Sequence, residues 1–250
     1  MNQSYAQNPY ITTAAEAAAD ERAAFIRRVY LHLAGALLAF GALCTAIQVI
    51  PAGTTADGTP ATLAIVLTSL MLGTGFSWLI VIGAFIGVGY LANRLAHSGA
   101  GAGTQYLGLA LYIAAMSVVI TPLLTFASWS TSPDLIPMAG VMTLALFGGL
   151  TLVAFTSGVN FTFLGGAIRI GFFIALGMIL LSFFMGSFTM SIIIAGGMLL
   201  LLGMSLLYET SAVMHEYPTN MHVGASLALF SSVAMMFYYV LYLLLSLSRD

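Results

Sequence analysis

The carboxylate of Glu209 has the clearest potential for chemistry, because it follows an almost uninterrupted apolar run in the segment LLLLGMSLLYETSAVMHEYP, residues 199–218. Ionisable side chains at membrane depth are costly and are typical of ion pathways, proton relays and counter-ions. Two interpretations are open at this point. Either Glu209 ends the apolar segment and faces water, or it points inward, holds a cation or a basic residue such as Arg94, and acts as a pH-sensitive latch.

No catalytic set accompanies this carboxylate. The nearest match to the G-x-S-G motif of an intramembrane serine protease is FTSG, residues 155–158, which has Phe at the first Gly position. An intramembrane aspartyl protease needs two Asp residues on facing helices, and all four Asp residues of the chain lie outside the apolar segments. We therefore expect no catalytic residue, and a protein that is not an enzyme.

Residues near the end of the same segment come closest to a metal site. His215, Glu216 and His222 are metal-binding residue types, but Pro218 interrupts any helix that would align them. We therefore expect no metal and no cofactor. His215 and Glu216 remain secondary polar candidates beside Glu209.

The composition indicates whether these residues lie in water or in a membrane. The chain has 250 residues, of which 60% are hydrophobic and 6% are charged, whereas about a quarter of the residues of a soluble domain are charged. The net charge is −2 and all six basic residues are Arg, so no basic patch is available for nucleic acid. The composition predicts an integral membrane protein whose main partner is the lipid bilayer.

The apolar segments predict an all-α bundle of about seven transmembrane helices. A spanning helix needs about 20 apolar residues. Residues 1–24 are predicted to be a polar N-terminal tail, residues 25–250 a single seven-helix domain, and residues 51–60 a turn-rich loop. The predicted helices span about 27–50, 69–92 after a partly interfacial stretch at 61–68, 104–127 with a kink at Pro122, 136–157, 164–185, 188–211 and 222–247.

The distribution of arginines predicts the orientation. With the N-terminus inside, the inner segments carry Arg22, Arg27, Arg28, Arg94 and Arg169, and the outer segments carry only Arg249. This asymmetry satisfies the positive-inside rule. It predicts a bacterial inner-membrane protein with a cytoplasmic N-terminus and an external C-terminus.

Gly83 and Gly87 form a G-x-x-x-G pair within the second predicted helix. Small residues at this spacing let helix backbones approach closely in a membrane. Packing within the bundle and a dimer face are both open interpretations.

Four segments carry a family resemblance. They are FIRRVYLHLAGALLAF at 25–40, LYIAAMSVVITPLL at 111–124, ALFGGLTLVAFTS at 145–157 and LYETSAVMHEYPTNMHVGASLALFSSVAMMFYYVL at 207–241. Together they resemble the Bax inhibitor-1 family of seven-helix membrane proteins over about residues 25–250. The ETS at 209–211 and the final SRD at 248–250 resemble the YccA-like bacterial branch.

The resemblance implies two functions. The YccA-like branch binds and restrains a membrane-bound AAA protease, which implies a membrane-embedded modulator whose tail, residues 1–24, such a machine could grip. The resemblance to other family members implies a pH-sensitive calcium leak channel, gated by a pair of Asp residues, one ending the sixth helix and one within the seventh. Here the first position falls on Glu209 and the second on Ser232.

The missing second acid separates these functions. A single carboxylate shares no proton with a partner and supplies less charge than a calcium site generally needs. We therefore expect a modulator in which Glu209 is a latch, most plausibly to Arg94. The alternative is a leak pathway for calcium or protons, lined by Glu209 with Ser231 and Ser232 on the last helix.

Overall fold

A computed structural model of the chain describes residues 12–55, 58–74, 76–98, 101–129, 134–185 and 188–248. The described residues form eight α-helices, one short 3-10 helix and a two-stranded hairpin. The all-α prediction is thus confirmed. Arg249 and the first eleven residues of the predicted tail lie outside the described residues.

The elements follow one another with short connections. Their bounds are α1 Ala19–Val49, β1 Pro51–Thr54, β2 Pro60–Thr62, α2 Leu63–Leu72, α3 Ser77–Ala96, α4 Ala102–Ser128, α5 Leu135–Thr156, the 3-10 helix Phe161–Leu164, α6 Gly165–Met185, α7 Phe188–His215 and α8 His222–Leu247.

Seven helices in the described part of the chain are long and apolar enough to cross a membrane. They are α1 and α3 to α8, with the 3-10 helix extending the span of α6, whereas α2 is too short. A helix satisfies its own backbone hydrogen bonds, which lipid cannot do, so these segments cross as helices. The protein is a multi-pass membrane protein, as the sequence predicts.

The prediction of one continuous second helix at 69–92 is wrong. The chain forms α2 from Leu63, ends it at Leu72, and starts α3 at Ser77. The break coincides with polar residues that bond locally: the Ser77 amide donates to the Thr74 carbonyl at 3.0 Å, and the two hydroxyls lie 2.7 Å apart. Such local bonds compete with a continuous helix.

The loop predicted at 51–60 is a hairpin instead. Pro51 pairs with Thr62 and Thr54 pairs with Pro60 in antiparallel register. The Leu63 amide also donates to the Ile50 carbonyl at 2.8 Å, which ties the start of α2 to the end of α1. Both strands begin with Pro, which is tolerated only at edges and strand starts, and the sequence pattern alone did not indicate them.

Two compact units make up the chain. The first contains the described residues of Met1–Leu33 and Met142–Tyr239, and the second contains those of Ala34–Val141 and Val240–Asp250. In the first unit α6 packs against α7 through an apolar cluster that includes Ala175, Met198 and Leu201. Gly171 on α6 allows this approach, because a Cβ there would lie 2.6 Å from a methyl group of Leu201.

The described end of the predicted tail is not a free tail. Thr13 forms an antiparallel bridge with Pro218 in the α7–α8 loop, and the Ala14 amide donates to the Tyr217 carbonyl at 2.9 Å. Ala14 is fully buried, and α1 begins at Ala19 rather than near residue 27. Residues 12–18, which we call the N-terminal strap, therefore lie on the same end of the first unit as the α7–α8 loop.

A polar cluster joins three helices of the second unit. The buried Thr125 hydroxyl on α4 accepts from the Gln48 amide of α1 at 3.4 Å and from the Thr68 hydroxyl of α2 at 3.3 Å. The same hydroxyl donates to the Thr121 carbonyl at 2.9 Å. Pro122, the predicted kink position, lies inside α4 beside this cluster.

Close packing of α3 on α4 depends on one glycine. A Cβ on Gly108 would lie 2.5 Å from the Ala92 carbonyl oxygen and 2.6 Å from the Ala96 amide nitrogen. By contrast, a Cβ on Gly83 or Gly87 would meet no atom within 4 Å. The predicted G-x-x-x-G pair is therefore not what brings the two helices together.

Gly108→Ala should lower the unfolding free energy by about 1–3 kcal/mol, because rigid backbone atoms would have to move to admit the new methyl group. Thermal unfolding of purified protein in detergent measures the effect. Gly87→Ala on α3 is the matched control and should leave the melting temperature unchanged or raise it, since it adds helix propensity in open space. Equal melting temperatures for the two variants would contradict the packing role of Gly108.

Candidate functional site

Glu209 lies on the last two turns of α7 and lines a cleft of about 400 Å³. The cleft walls come from α6 and α7 of the first unit. Its lining residues are Gly165, Ile168, Arg169, Ser205, Tyr208 and Glu209. Gly165 makes room for the Tyr208 ring at one side of the cleft, because a Cβ at residue 165 would lie 3.0 Å from a carbon atom of that ring.

The Glu209 carboxyl group is turned into the first unit. The residue keeps some accessible surface, yet its Oε2 atom is buried and has no hydrogen-bond partner among the described residues. The hydroxyl of Ser232 on α8 is the side-chain group that interacts with the carboxyl. A buried carboxyl oxygen without a partner costs free energy, which a proton, a cation or water would relieve.

Of the latch candidates Glu209, Ser232 and Arg94, the structure brings the first two together. Ser232 is 4% exposed and lies against Glu209. Its neighbour Ser231 instead donates to the Ala228 carbonyl of its own helix at 2.7 Å. Arg94 lies in the last turn of α3, in the second unit, so its pairing with Glu209 stays a prediction.

Arg169 is the basic residue of the cleft itself. Its Nε donates to the Gly165 carbonyl at 3.1 Å, and its charge acts on the Tyr208 hydroxyl. Within the described part of the first unit, Arg169 forms no ion pair with Glu209. The cleft therefore holds one acidic and one basic group that are not locked together.

The residue that fixes this end of α7 is Ser211, which sequence reasoning missed as a site residue. Its hydroxyl accepts from the Phe161 amide at 2.9 Å and donates to the Asn160 side-chain oxygen at 3.0 Å. Asn160 in turn accepts from the Thr162 amide and caps the 3-10 helix. The ETS motif thus ties the α5–α6 connection to the helix that carries Glu209.

A family model described as "Inhibitor of apoptosis-promoting Bax1" matches residues 22–249. The chain therefore belongs to the Bax inhibitor-1 family. This match confirms the resemblance predicted from the four sequence segments.

A curated relative of this Bax inhibitor-1 protein is an uncharacterized protein of Pseudomonas aeruginosa, 33% identical over 104 residues. The similar stretch covers 42% of this chain and 46% of the relative. The chain thus spans less than half the length of that relative, and the similarity assigns no activity.

The secondary candidates lie just beyond Glu209 in the Bax inhibitor-1 protein. His215 ends α7, and its Nδ1 bonds to the Ser211 carbonyl at 2.8 Å. Glu216 begins the α7–α8 loop, and Tyr217 follows it, buried. Burial raises the pKa of Tyr217, and the negative charges of Glu209 and Glu216 add to the rise, so this tyrosine is neutral at physiological pH.

Two histidines, which are metal-binding residues, lie close together elsewhere in the first unit. The rings of His32 on α1 and His222 on α8 have centroids 4.9 Å apart, and His32 Nδ1 also bonds to the Arg28 carbonyl at 2.7 Å. Over the described ranges, no group of three or more His, Cys, Asp or Glu side chains is placed to hold a metal ion. His215, Glu216 and His222 are not such a group.

Ser211→Ala should destabilise the protein by about 1 kcal/mol, because the partly buried Phe161 amide would lose its partner and the Asn160 oxygen would keep only the Thr162 amide. Ser231→Ala is the control, since that hydroxyl bonds only within its own helix turn in the described structure. Thermal unfolding in detergent compares the two. A Ser231→Ala loss as large as that of Ser211→Ala would contradict the connecting role of Ser211.

Proposed function

We propose that this Bax inhibitor-1 protein forms a pH-sensitive cation leak pathway and that Glu209 is its control group. The proposal rests on one observation, the partly buried carboxyl that lines the cleft with an unpartnered oxygen. A group in this state binds a proton or a cation more readily than one already paired. In a chain with few charged residues, such a group is a functional candidate by default.

The charged and titratable groups around Glu209 in the first unit define how it would respond to pH. They are Arg169 on α6, Tyr208 beside it on α7, and Glu216 and Tyr217 in the α7–α8 loop. Tyr217 is neutral, and Arg169 is not ion-paired to Glu209. Glu209 is therefore the acid of the cleft whose charge can change. Its protonation would alter the interaction with Ser232 and therefore the contact between α7 and α8.

The number of carboxylates favours protons over calcium. Calcium takes six to eight oxygen ligands in proteins, usually with several carboxylates. In the described part of the first unit, Ser232 supplies a neutral hydroxyl at the position where the family resemblance implies a second acid. We infer that proton flux exceeds calcium flux through this protein.

The proposed setting is a bacterial inner membrane with the N-terminus in the cytoplasm. The bridge between Thr13 and Pro218 supports a common side for the N-terminal strap and the α7–α8 loop, as the six spans between them require. The excess of arginines in the segments on that side favours the cytoplasm. Glu209 would then lie near the cytoplasmic end of the pathway.

Purified protein in liposomes tests the proposal. Wild-type protein should carry a cation flux that depends on pH, read with an internal pH dye for protons and a calcium dye for calcium. Glu209→Gln removes the titrating group while keeping the size of the side chain, so the pH dependence should be lost. Asp134→Asn is the control, because this exposed carboxyl lies before α5 in the second unit, and it should keep the wild-type profile.

Two outcomes would contradict this function. One is a wild-type flux no greater than that of empty liposomes at any pH from mildly acidic to mildly alkaline. The other is a Glu209→Gln profile that matches the wild type. A folded state verified by size-exclusion chromatography makes either outcome interpretable.

A second candidate function is that of a membrane-embedded modulator of a membrane-bound AAA protease. The observation that favours it is the same neutral Ser232 beside Glu209, since a site with one carboxylate is poorly built for cation flux. In this case Glu209 and Ser232 hold α7 against α8, and the protein acts through contacts with its partner rather than through a reaction of its own.

Crosslinking in native membranes followed by affinity purification tests this second function. The protease should co-purify with wild-type protein and equally with Glu209→Gln, because a contact function does not need the carboxyl to titrate. Repeated recovery without any AAA protease would count against it. Both experiments compare the wild type with Glu209→Gln. A leak function predicts that the variant loses the pH dependence of the flux, whereas a modulator function predicts that both proteins recover the protease equally.

A further inference from the structure

We propose that three buried hydroxyls of the first unit, those of Tyr30, Thr151 and Thr210, form a binding site for a water molecule inside the membrane-spanning part of the protein. This hydroxyl cluster joins α1, α5 and α7. It is distinct from the cleft, because none of its three residues lines the cleft. It does not depend on the proposed leak or modulator function.

The aromatic packing of Tyr30 directs its hydroxyl toward α5. The Tyr30 ring contacts Phe147 and Phe155, with ring centroids 6.4 Å and 5.9 Å away. Thr151 lies midway between these two residues, and residues four apart share a face of a helix. The phenol ring is therefore held along the face of α5 that carries the Thr151 hydroxyl.

The three hydroxyls interact but do not satisfy one another. The Tyr30 hydroxyl is near enough to interact with the side chains of both Thr210 and Thr151. Yet the oxygen atoms of all three are buried, and none has a well-formed hydrogen bond among the described residues. Thr210 is completely buried, so its hydroxyl has no access to bulk water.

This arrangement differs from that of other buried hydroxyls in the protein. Ser117, Thr121 and Thr125 donate to the carbonyl four residues earlier, at 2.8 to 2.9 Å. Thr151 and Thr210 sit in helices as well, but neither makes this local bond. Neither hydroxyl is therefore satisfied by its own helix, and both are near enough to interact with the Tyr30 hydroxyl.

The chemistry of the cluster favours water over a cation. Each hydroxyl can donate one hydrogen bond and accept others, and water likewise does both, typically with about three protein partners when buried. A cation would need a compensating negative charge in this apolar surrounding, and the three ligands are neutral. Since an unmade buried hydrogen bond is costly, one water bridging three hydroxyls removes three such costs together.

X-ray radiolytic labelling with mass spectrometry tests the site in protein reconstituted into lipid nanodiscs. Radicals formed from a bound water oxidise the residues that touch it, so Tyr30 should be labelled in the wild type. The double variant Thr151→Val and Thr210→Val keeps the side-chain shapes and removes two ligands. Labelling of Tyr30 should fall severalfold in this variant.

Thr156→Val is the matched control on α5, because the Thr156 hydroxyl donates to the Leu152 carbonyl of its own helix and is exposed. It should leave the labelling of Tyr30 unchanged. Equal labelling of Tyr30 in the double variant and the wild type would overturn the proposal. So would a melting temperature of the wild type that rises with sodium or potassium concentration while that of the double variant does not, since that result assigns the site to a cation.

An experimental map of the wild type provides a second test that needs no variant. A density peak within hydrogen-bonding distance of the three hydroxyl oxygens supports the site. A map that shows the Thr151 and Thr210 side chains clearly, each bonded to its own helix carbonyl and with no peak between them, would overturn it.

Discussion

Hydrocarbon cannot form hydrogen bonds, and this constraint governs where polar side chains lie in the protein. Several buried Ser and Thr residues meet it locally by donating to a carbonyl of the preceding helix turn, as Ser117 and Thr121 do. The described buried polar atoms that fail to meet it are few: they belong to Tyr30, Thr151, Glu209, Thr210 and His222. All five residues lie in the first unit. The second unit, by contrast, uses its polar groups to join α1, α2 and α4 around Thr125.

This division suggests that the two units have different tasks. Among the described residues of the second unit, no buried side-chain polar atom lacks a hydrogen-bond partner, and α3 and α4 approach closely at Gly108. In the first unit, unpartnered groups lie near the C-terminal part of α7, whose ETS motif at residues 209–211 supplies three consecutive polar residues. Glu209 faces the cleft, Thr210 faces the hydroxyl cluster, and Ser211 ties the helix to the α5–α6 connection. Because successive helix residues point about 100° apart, one short motif reaches three surroundings.

The sequence was sufficient for the features that depend on length and apolarity. The number of spanning helices and the position of Glu209 near the end of an apolar helix followed from the scarcity of charge. What it could not supply were contacts set by tertiary structure. The break between α2 and α3 depends on local bonds at Thr74 and Ser77, and the hairpin begins both strands with Pro, so neither shows in an apolar profile. Nothing in the spacing of Tyr30, Thr151 and Thr210 indicates that they meet, since they come from three distant helices.

The bridge between the N-terminal strap and the α7–α8 loop bears on how the chain is assembled. Thr13 precedes all seven spanning segments of the described chain, whereas Pro218 is made only after six of them. The strap must therefore remain unpaired on its side of the membrane through most of synthesis. Its pairing with the loop buries Ala14 and is accompanied by a hydrogen bond from the Thr219 hydroxyl to the Glu21 carboxylate. Pairing of the strap with this loop can thus occur only after the sixth spanning segment of the described chain has been made, which makes it a late step of assembly.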